Sequence, residues 1–267
     1  MRPAEAYRTS KAPWPPRSAA ALHILRFDSI DSTNLEAMRQ ARAGAPEGVC
    51  IVAREQTAGR GRLDRSWRSP KDAGLYFSII LRPRIEKNRW PLIMFMAALA
   101  ASDALIKECG LRTDIKWPND LYVDGRKIGG ILAEVVDTDG AMAAVVGIGI
   151  NLFSSVLDET IRDSATSIEL ETGNKPDPER MLNELLKAIS VRYEVLLSPL
   201  GQEHTIREWC ANSSFAFDRR VRVSLADEVF AGVTRGLEGD GALRVETANG
   251  KIRVVRAGDI TALRAGE

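Results

Sequence analysis

Between residues 113 and 152 the chain alternates strand-like runs with two Asp-Gly dipeptides, Asp124-Gly125 and Asp139-Gly140. Asp-Gly is among the strongest short-range hairpin signals, because a two-residue turn that follows the twist of its strands needs positive φ at its centre. The segment therefore predicts an antiparallel meander of Asp114 to Trp117, Leu121 to Val123, Lys127 to Asp137 and Ala141 to Leu152. Shorter strands are expected before it, at Leu22 to Phe27, Val49 to Ala53 and Leu75 to Leu81. Helices are expected around it. The turn- and cap-rich stretch Asp28 to Asn34 leads into Leu35 to Arg42, which ends at Gly44. A second helix runs from Pro91 to Lys107 and is stopped by Cys109-Gly110. A third, Pro178 to Leu197, has Asp177 as its cap and an apolar stripe of Met181, Leu182, Leu185, Leu186, Ile189, Tyr193 and Leu196. A last one covers roughly Gln202 to Ala211. Antiparallel strands mixed with helices predict an α+β fold rather than a doubly wound sheet.

From Arg219 the pattern changes to short strands with close turns: Val221 to Leu225, Val229 to Leu237, Ala242 to Thr247, Lys251 to Val255 and Ile260 to Leu263. Gly239-Asp240-Gly241 and Asn249-Gly250 supply turns, and the set predicts a small β-barrel. A chain of 267 residues accommodates one medium domain plus one small one. The expected organisation is a disordered Pro-rich tail over 1–20, a main domain over 21–212 and a small domain over 213–267, without internal repeats.

Composition excludes several classes. Lys+Arg of 37 against Asp+Glu of 36 rules out a general polyanion binder, so any basic site is local. Cys50, Cys109 and Cys210 are scattered without metal-ligand spacing, which fits reduced thiols in a cytoplasmic protein. His23 and His204 are too few for a His-based metal site or triad. The tail carries no signal-peptide h-region, and the apolar run Pro91 to Ala101 is too short to span a bilayer and suits a buried helix.

The densest chemical segment is Gly59-Arg60-Gly61-Arg62-Leu63-Asp64-Arg65-Ser66-Trp67, a loop between two β runs. Glycines let backbone approach a ligand, and arginines grip phosphate or carboxylate with a fixed fork of donors. The residues suit a mobile cover over an anionic ligand, and equally a solvated basic loop. Two further segments are Lys116-Trp117-Pro118-Asn119-Asp120, followed by Lys127 to Leu132, and Gly147-Ile148-Gly149-Ile150-Asn151. Polar Lys116, Asn119, Asp120, Lys127 and Asn151 lie among apolar β residues and need partners or a ligand, while Gly129-Gly130 lets a ligand lie against a strand. Each alone also reads as ordinary hairpin chemistry.

Together with Asp31-Ser32-Thr33-Asn34 and Gln56, these motifs resemble, in order and spacing over residues 22 to 152, the biotin protein ligase family. The small C-terminal β domain also resembles the family plan. The resemblance implies a mixed-sheet catalytic domain of the biotin/lipoate ligase type with an SH3-like barrel. It implies that ATP, with Mg²⁺ held mainly by its phosphates near Asp120, activates biotin as biotinyl-5′-AMP. A lysine of a biotin carboxyl carrier protein, of acetyl-CoA carboxylase or a related carboxylase, then takes the biotinyl group. No protein nucleophile is required.

By this resemblance Ser32, Thr33, Asn34 and Gln56 hydrogen-bond the ureido end of biotin. Arg60 and Arg62, with Gly61 between them, close over carboxylate and phosphates, and Arg65 supports that closure. Trp67 packs over the intermediate. Lys127 stabilises charge at the carboxylate and the acyl-phosphate, and Gly129 and Gly130 form the pocket wall. Lys116, Asn119, Asp120 and Asn151 serve the nucleotide, as does Arg264. Trp67 and Trp117 also suit plain half-buried packing. Position 64 is Asp where some relatives carry glycine. Some relatives add an N-terminal helix-turn-helix, which about twenty Pro-rich residues cannot hold, so no direct DNA binding is expected. A homodimer by edge-to-edge sheet pairing stays open. The competing readings are a lipoate ligase or octanoyltransferase, and a non-catalytic regulator that binds biotinyl-AMP or DNA.

Overall fold

A computed structural model describes residues 23–138 and 141–263. The expected tail, the Asp139-Gly140 turn and Arg264 lie outside the described residues.

The chain opens with strand β1 (His23–Phe27), helix α1 (Thr33–Arg42), and strands β2 (Val49–Ala53) and β3 (Gly74–Leu81). Helix α2 (Leu92–Cys109) follows, and then the predicted meander of β4 (Asp114–Lys116), β5 (Asp120–Val123), β6 (Arg126–Thr138) and β7 (Ala141–Asn151). These strands make one sheet in the order β1-β2-β3-β7-β6-β5-β4. All its ladders are antiparallel except β1–β2, whose parallel pairing uses α1 as the crossover. The sheet is mixed and the fold α+β, as expected.

Strand periodicity assigns the two faces. Ala144, Val146, Ile148 and Ile150 of β7 and Leu75, Phe77, Ile79 and Leu81 of β3 belong to the main core with α2. Helix α2 is apolar almost all round, which suits a fully enclosed helix. It packs against α4 (Pro178–Leu197) and α5 (Gly201–Ala211), which follow the short α3 (Ile168–Thr172). The predicted stripe of α4 is buried residue for residue, and the Asp177 carboxylate accepts the N–H groups of Glu179 and Arg180. On the opposite face α1 covers only part of the sheet, packing Ala37, Met38 and Ala41 on Val49, Ile51, Ile80, Val136, Ala143 and Val145. The remainder of that face carries the site.

Strands β8 (Phe217–Ser224), β9 (Val229–Leu237), β10 (Leu243–Glu246), β11 (Ile252–Val255) and β12 (Asp259–Ala262) form a second, antiparallel sheet in the order β11-β10-β9-β8-β12. Its inward residues Val221, Val223, Leu243, Val245 and Ile260 join the main core. Trp117 Nε1 donates to Gly241 O at 3.2 Å, tying the Trp117-Pro118 turn to this sheet.

Candidate functional site

Following each strand beyond α1 gives the floor of the site. On β7 the face that holds Ala143 and Val145 continues to Gly147, Gly149 and Asn151; on β6 the face of Val136 continues to Glu134, Leu132 and Gly130; on β3 that of Ile80 continues to Ser78 and Tyr76. The floor is made of small residues because other groups need the space. A Cβ on Gly147 would stand 2.1 Å from Asn34 Oδ1, and one on Gly149 would stand 2.6 Å from the Trp67 indole. Between the start of α1, the 59–67 loop and this floor lies a cavity of about 110 Å³.

Ser32, Thr33, Asn34, Gln56, Arg60, Gly61, Arg62, Arg65, Trp67, Asn119, Lys127 and Gly130 line this cavity. Gly129 does not. It sits on the core face of β6, where a Cβ would meet Gly149 O and Leu121 Cδ1, so the glycine pair contributes only Gly130 to the wall. Asn151 lines an adjoining cavity, and its Nδ2 donates to Thr166 O at 2.9 Å. The two cavities share Gln56, Ser66, Trp67 and Lys127. Lys116 and Asp120 line neither, and Asp120 reaches the site through Lys127.

One part of the cavity is a polar network. The α1 cap residue Ser32 makes no capping bond with its side chain; instead Gln56 Oε1 accepts the Thr33 N–H at 2.8 Å and the Thr33 hydroxyl at 3.0 Å. Gln56 Nε2 donates to Ser69 Oγ at 2.7 Å. Asn34 is 3% exposed with both amide hydrogens placed, on Leu132 O at 3.1 Å and Glu134 Oε2 at 2.9 Å. Ser78 Oγ lies 2.6 Å from Asn34 Oδ1 and 2.8 Å from Thr33 Oγ1. Asn34 therefore stands as a buried strut, while the Ser32 hydroxyl has no hydrogen-bond partner among the described residues and is free for a ligand.

The 59–67 loop is a miniature hairpin. Trp67 N–H donates to Gly59 O at 2.9 Å and Gly61 N–H to Arg65 O at 2.6 Å. Leu63 and Asp64 take φ of 54° and 57° at its tip, the left-handed pair of a type I′ turn. Its cations are each paired. Arg60 Nη1 lies 3.1 Å from Glu134 Oε1, and Arg65 bonds Asp259 of the small sheet. Arg62 reaches Asn119 Oδ1 and Gly258 O at 3.4 Å, and lies 3.9 Å from Asp259 Oδ1. Burial pulls the Arg62 guanidinium below its ordinary pKa, against the opposing pull of Asp259 and Asp120. Across the cavity Lys127 Nζ pairs with Asp120 Oδ1 at 2.6 Å and stands 5.2 Å from the Trp67 ring centroid. Behind it Lys116 lies against the rings of Tyr122 and Phe215, and burial lowers its pKa. Burial likewise pushes the Tyr122 hydroxyl up to about 12.

Sequence reasoning missed Ser78, Glu134, Asp259 and Ser69. A serine inside the apolar run Leu75 to Leu81 was a visible signal for Ser78, because its parity with Ile80 placed it on one face. Among the described residues no group of three His, Cys, Asp or Glu side chains gathers as a metal site.

A family model described as the biotin/lipoate A/B protein ligase family matches residues 26–151, and one described as the biotin protein ligase C-terminal domain matches residues 216–261. The biotin–[acetyl-CoA-carboxylase] ligase of Paracoccus denitrificans is 35% identical over 238 residues, covering 86% of this chain and 96% of that protein. The bifunctional ligase/repressor BirA of Bacillus subtilis is 33% identical over 241 residues, covering 89% of this chain and 73% of that protein. Among solved structures, the Aquifex aeolicus biotin protein ligase in complex with biotin and ATP superposes with a TM-score of 0.77 at 29% identity, covering 91% of this chain and 99% of that one.

Proposed function

This chain belongs to the biotin protein ligase family, and on that premise we propose that it activates biotin with ATP as biotinyl-5′-AMP and transfers the biotinyl group to one lysine of a biotin carboxyl carrier protein. The carrier of acetyl-CoA carboxylase or a related carboxylase is the expected acceptor. The observation that carries the reading is the composition of the cavity: the free hydroxyl of Ser32 and the neutral side chains of Thr33, Asn34 and Gln56 line the same space as Lys127 and Arg62. A ligand with an uncharged ureido group and a carboxylate matches both, whereas a dithiolane or a plain acyl chain offers the Ser32 hydroxyl no partner.

In the first step the biotin carboxylate attacks the α-phosphate of ATP and pyrophosphate leaves. Two anions must be brought together, and fixed cations offset their repulsion and the charge that develops at phosphorus. Lys127 has the position for this, between the two cavities and over Trp67. Arg62 approaches from the loop, and its partial burial strengthens its field. The adjoining cavity with Asn151 suits the nucleotide. Asp120 and Lys116 stand behind it through Lys127 and Tyr122, and Asn119 lines the first cavity; Mg²⁺ would arrive on the ATP phosphates, as is usual for a cation held by one or two carboxylates plus substrate oxygens. In the second step the carrier's ε-amine, as the free base, attacks the acyl carbonyl, and AMP leaves with the bonding pair.

The division into a main domain over 21–212 and a small domain from 213 is part of the same proposal. So are a cytoplasmic location, for which the three free cysteines speak, and a homodimer formed through a sheet edge. Among the described residues no helix is long and apolar enough to cross a membrane. Exchange of labelled pyrophosphate into ATP tests the first step. Biotin should support it and lipoate should not; exchange with lipoate alone would overturn the substrate assignment. Label transfer from biotin to a purified carrier domain tests the second.

A further inference from the structure

Glu134 has no place in the reaction as described, yet it touches two parts of the site. Its side chain is 20% exposed, on the site face of β6. Its carboxylate accepts the Asn34 amide at 2.9 Å and the Arg60 guanidinium at 3.3 Å, both through Oε2, and its Oε1 forms an ion pair with the same Arg60 nitrogen at 3.1 Å. Asn34 is the buried strut at the start of α1, and Arg60 opens the ligand loop. One carboxylate thus joins the floor to the loop that covers it. Arg60 reaches Glu134 alone among the described residues, whereas Arg62 and Lys127 point to the Asn119-Asp120 side of the cavity.

We infer that Glu134 is a positioning residue for the ligase reaction, and that it acts by strapping the ligand loop across the cavity through Arg60. Arg60 then serves mainly by holding the loop, and Arg62 and Lys127 are left to meet the anions. A charge-assisted pair between an exposed arginine and a half-buried, fixed carboxylate is directional enough to do this. Elsewhere the loop is held by Trp67 packing into the space over Gly149, by Arg62 on Asn119 and Gly258, and by Arg65 on Asp259. The kinetic part of the inference rests on the proposed biotin chemistry; the conformational part does not.

The test is a double-mutant cycle on Glu134→Gln and Arg60→Gln. Glutamine keeps an oxygen for the Asn34 amide and loses the charge that holds Arg60. Each single variant should raise the KM for biotin about tenfold with kcat within about twofold, because ordering the loop is then charged to binding. The double variant should be no worse than either single one. In the ligand-free protein, trypsin should cut after Arg62 and Arg65 about tenfold faster in each variant and no faster in the pair, since cleavage follows the open population. The thermal midpoint should stay put. Additive effects, or a silent Glu134→Gln beside an Arg60→Gln that lowers kcat, would overturn the strap and return Arg60 to the anion. Failure of the wild type to activate biotin would sink the functional reading, while the proteolysis arm would still judge the strap.

Discussion

Substituting the two floor glycines of β7 should separate stability from ligand binding. Gly147 and Gly149 share a strand face and stand two residues apart, but they make room for different things. An alanine at 147 places its methyl 2.1 Å from Asn34 Oδ1 and 2.9 Å from Asn34 Cγ. Asn34 cannot yield without giving up its bonds to Leu132 O, Glu134 and Ser78, all at a position 3% exposed. Three hydrogen bonds at about 1 kcal/mol each, plus about 1–2 kcal/mol for overpacking, give a loss of roughly 4–5 kcal/mol. For a chain of this size that lowers the melting midpoint by roughly 10 °C or more. An alanine at 149 meets instead the indole of Trp67, at 2.6 Å. Trp67 lies in a partly exposed surface loop rather than in the core, so the cost in stability should stay below about 1.5 kcal/mol. The cover over the cavity is displaced, however, and binding of biotin should weaken at least tenfold, or about 1.4 kcal/mol. Urea unfolding followed by circular dichroism, with biotin titration by calorimetry, reads both quantities. Equal stability losses in the two variants, or a Gly147→Ala protein within about 1 kcal/mol of wild type, would refute the reasoning.

Burial holds the Lys116 ammonium below its ordinary pKa, so above that lowered value the unfolded chain binds more protons and stability rises with pH; below it the full desolvation cost is present. Lys116→Met should accordingly raise the melting midpoint at pH 7, with a gain that shrinks toward pH 10, and a gain that grows with pH would contradict this. Asp64 sits at φ 57°, where glycine is at no disadvantage, so Asp64→Gly should leave adenylate formation within a few-fold; a loss of about 100-fold would reveal a dedicated role for the carboxylate. The Cys50 thiol is fully buried and its pKa is pushed far up by desolvation, while that of Cys109 rises to about 11. Native protein at pH 8 should therefore resist iodoacetamide at Cys50 even after prolonged exposure, and rapid modification there would show that β2 opens.

The elements of this fold were legible wherever a local rule acts alone. The Asp124-Gly125 turn, the Asp177 cap and the α4 stripe each rest on residues a few positions apart, and all appear as expected. Helix α3 was not foreseen, since five residues are too few to show a period. The parallel β1–β2 ladder was not foreseen either, because pairing direction depends on where α1 returns the chain. The site divides in the same way. The glycines, arginines and Lys127 form dense motifs and stood out. Glu134 reads in sequence as one more outward carboxylate on a half-exposed strand, and only the fold brings Arg60 over it. Asp259 meets Arg65 from a different sheet. Gln56 and Asn34 were visible as polar residues, but their use as cap and strut is set by distant partners. Gly129 went astray through parity: its neighbour Gly130 faces the cavity, so it must face the core.

The central claim is that Lys127, paired with Asp120 and placed between the two cavities, provides the charge for activating biotin. The most direct measurement is biotin-dependent exchange of pyrophosphate into ATP by the wild type and by Lys127→Ala, with both melting midpoints recorded. The account predicts robust exchange with biotin in the wild type and a loss of about 10²–10³-fold in the variant at an unchanged midpoint. Exchange within a few-fold of wild type in Lys127→Ala would contradict it.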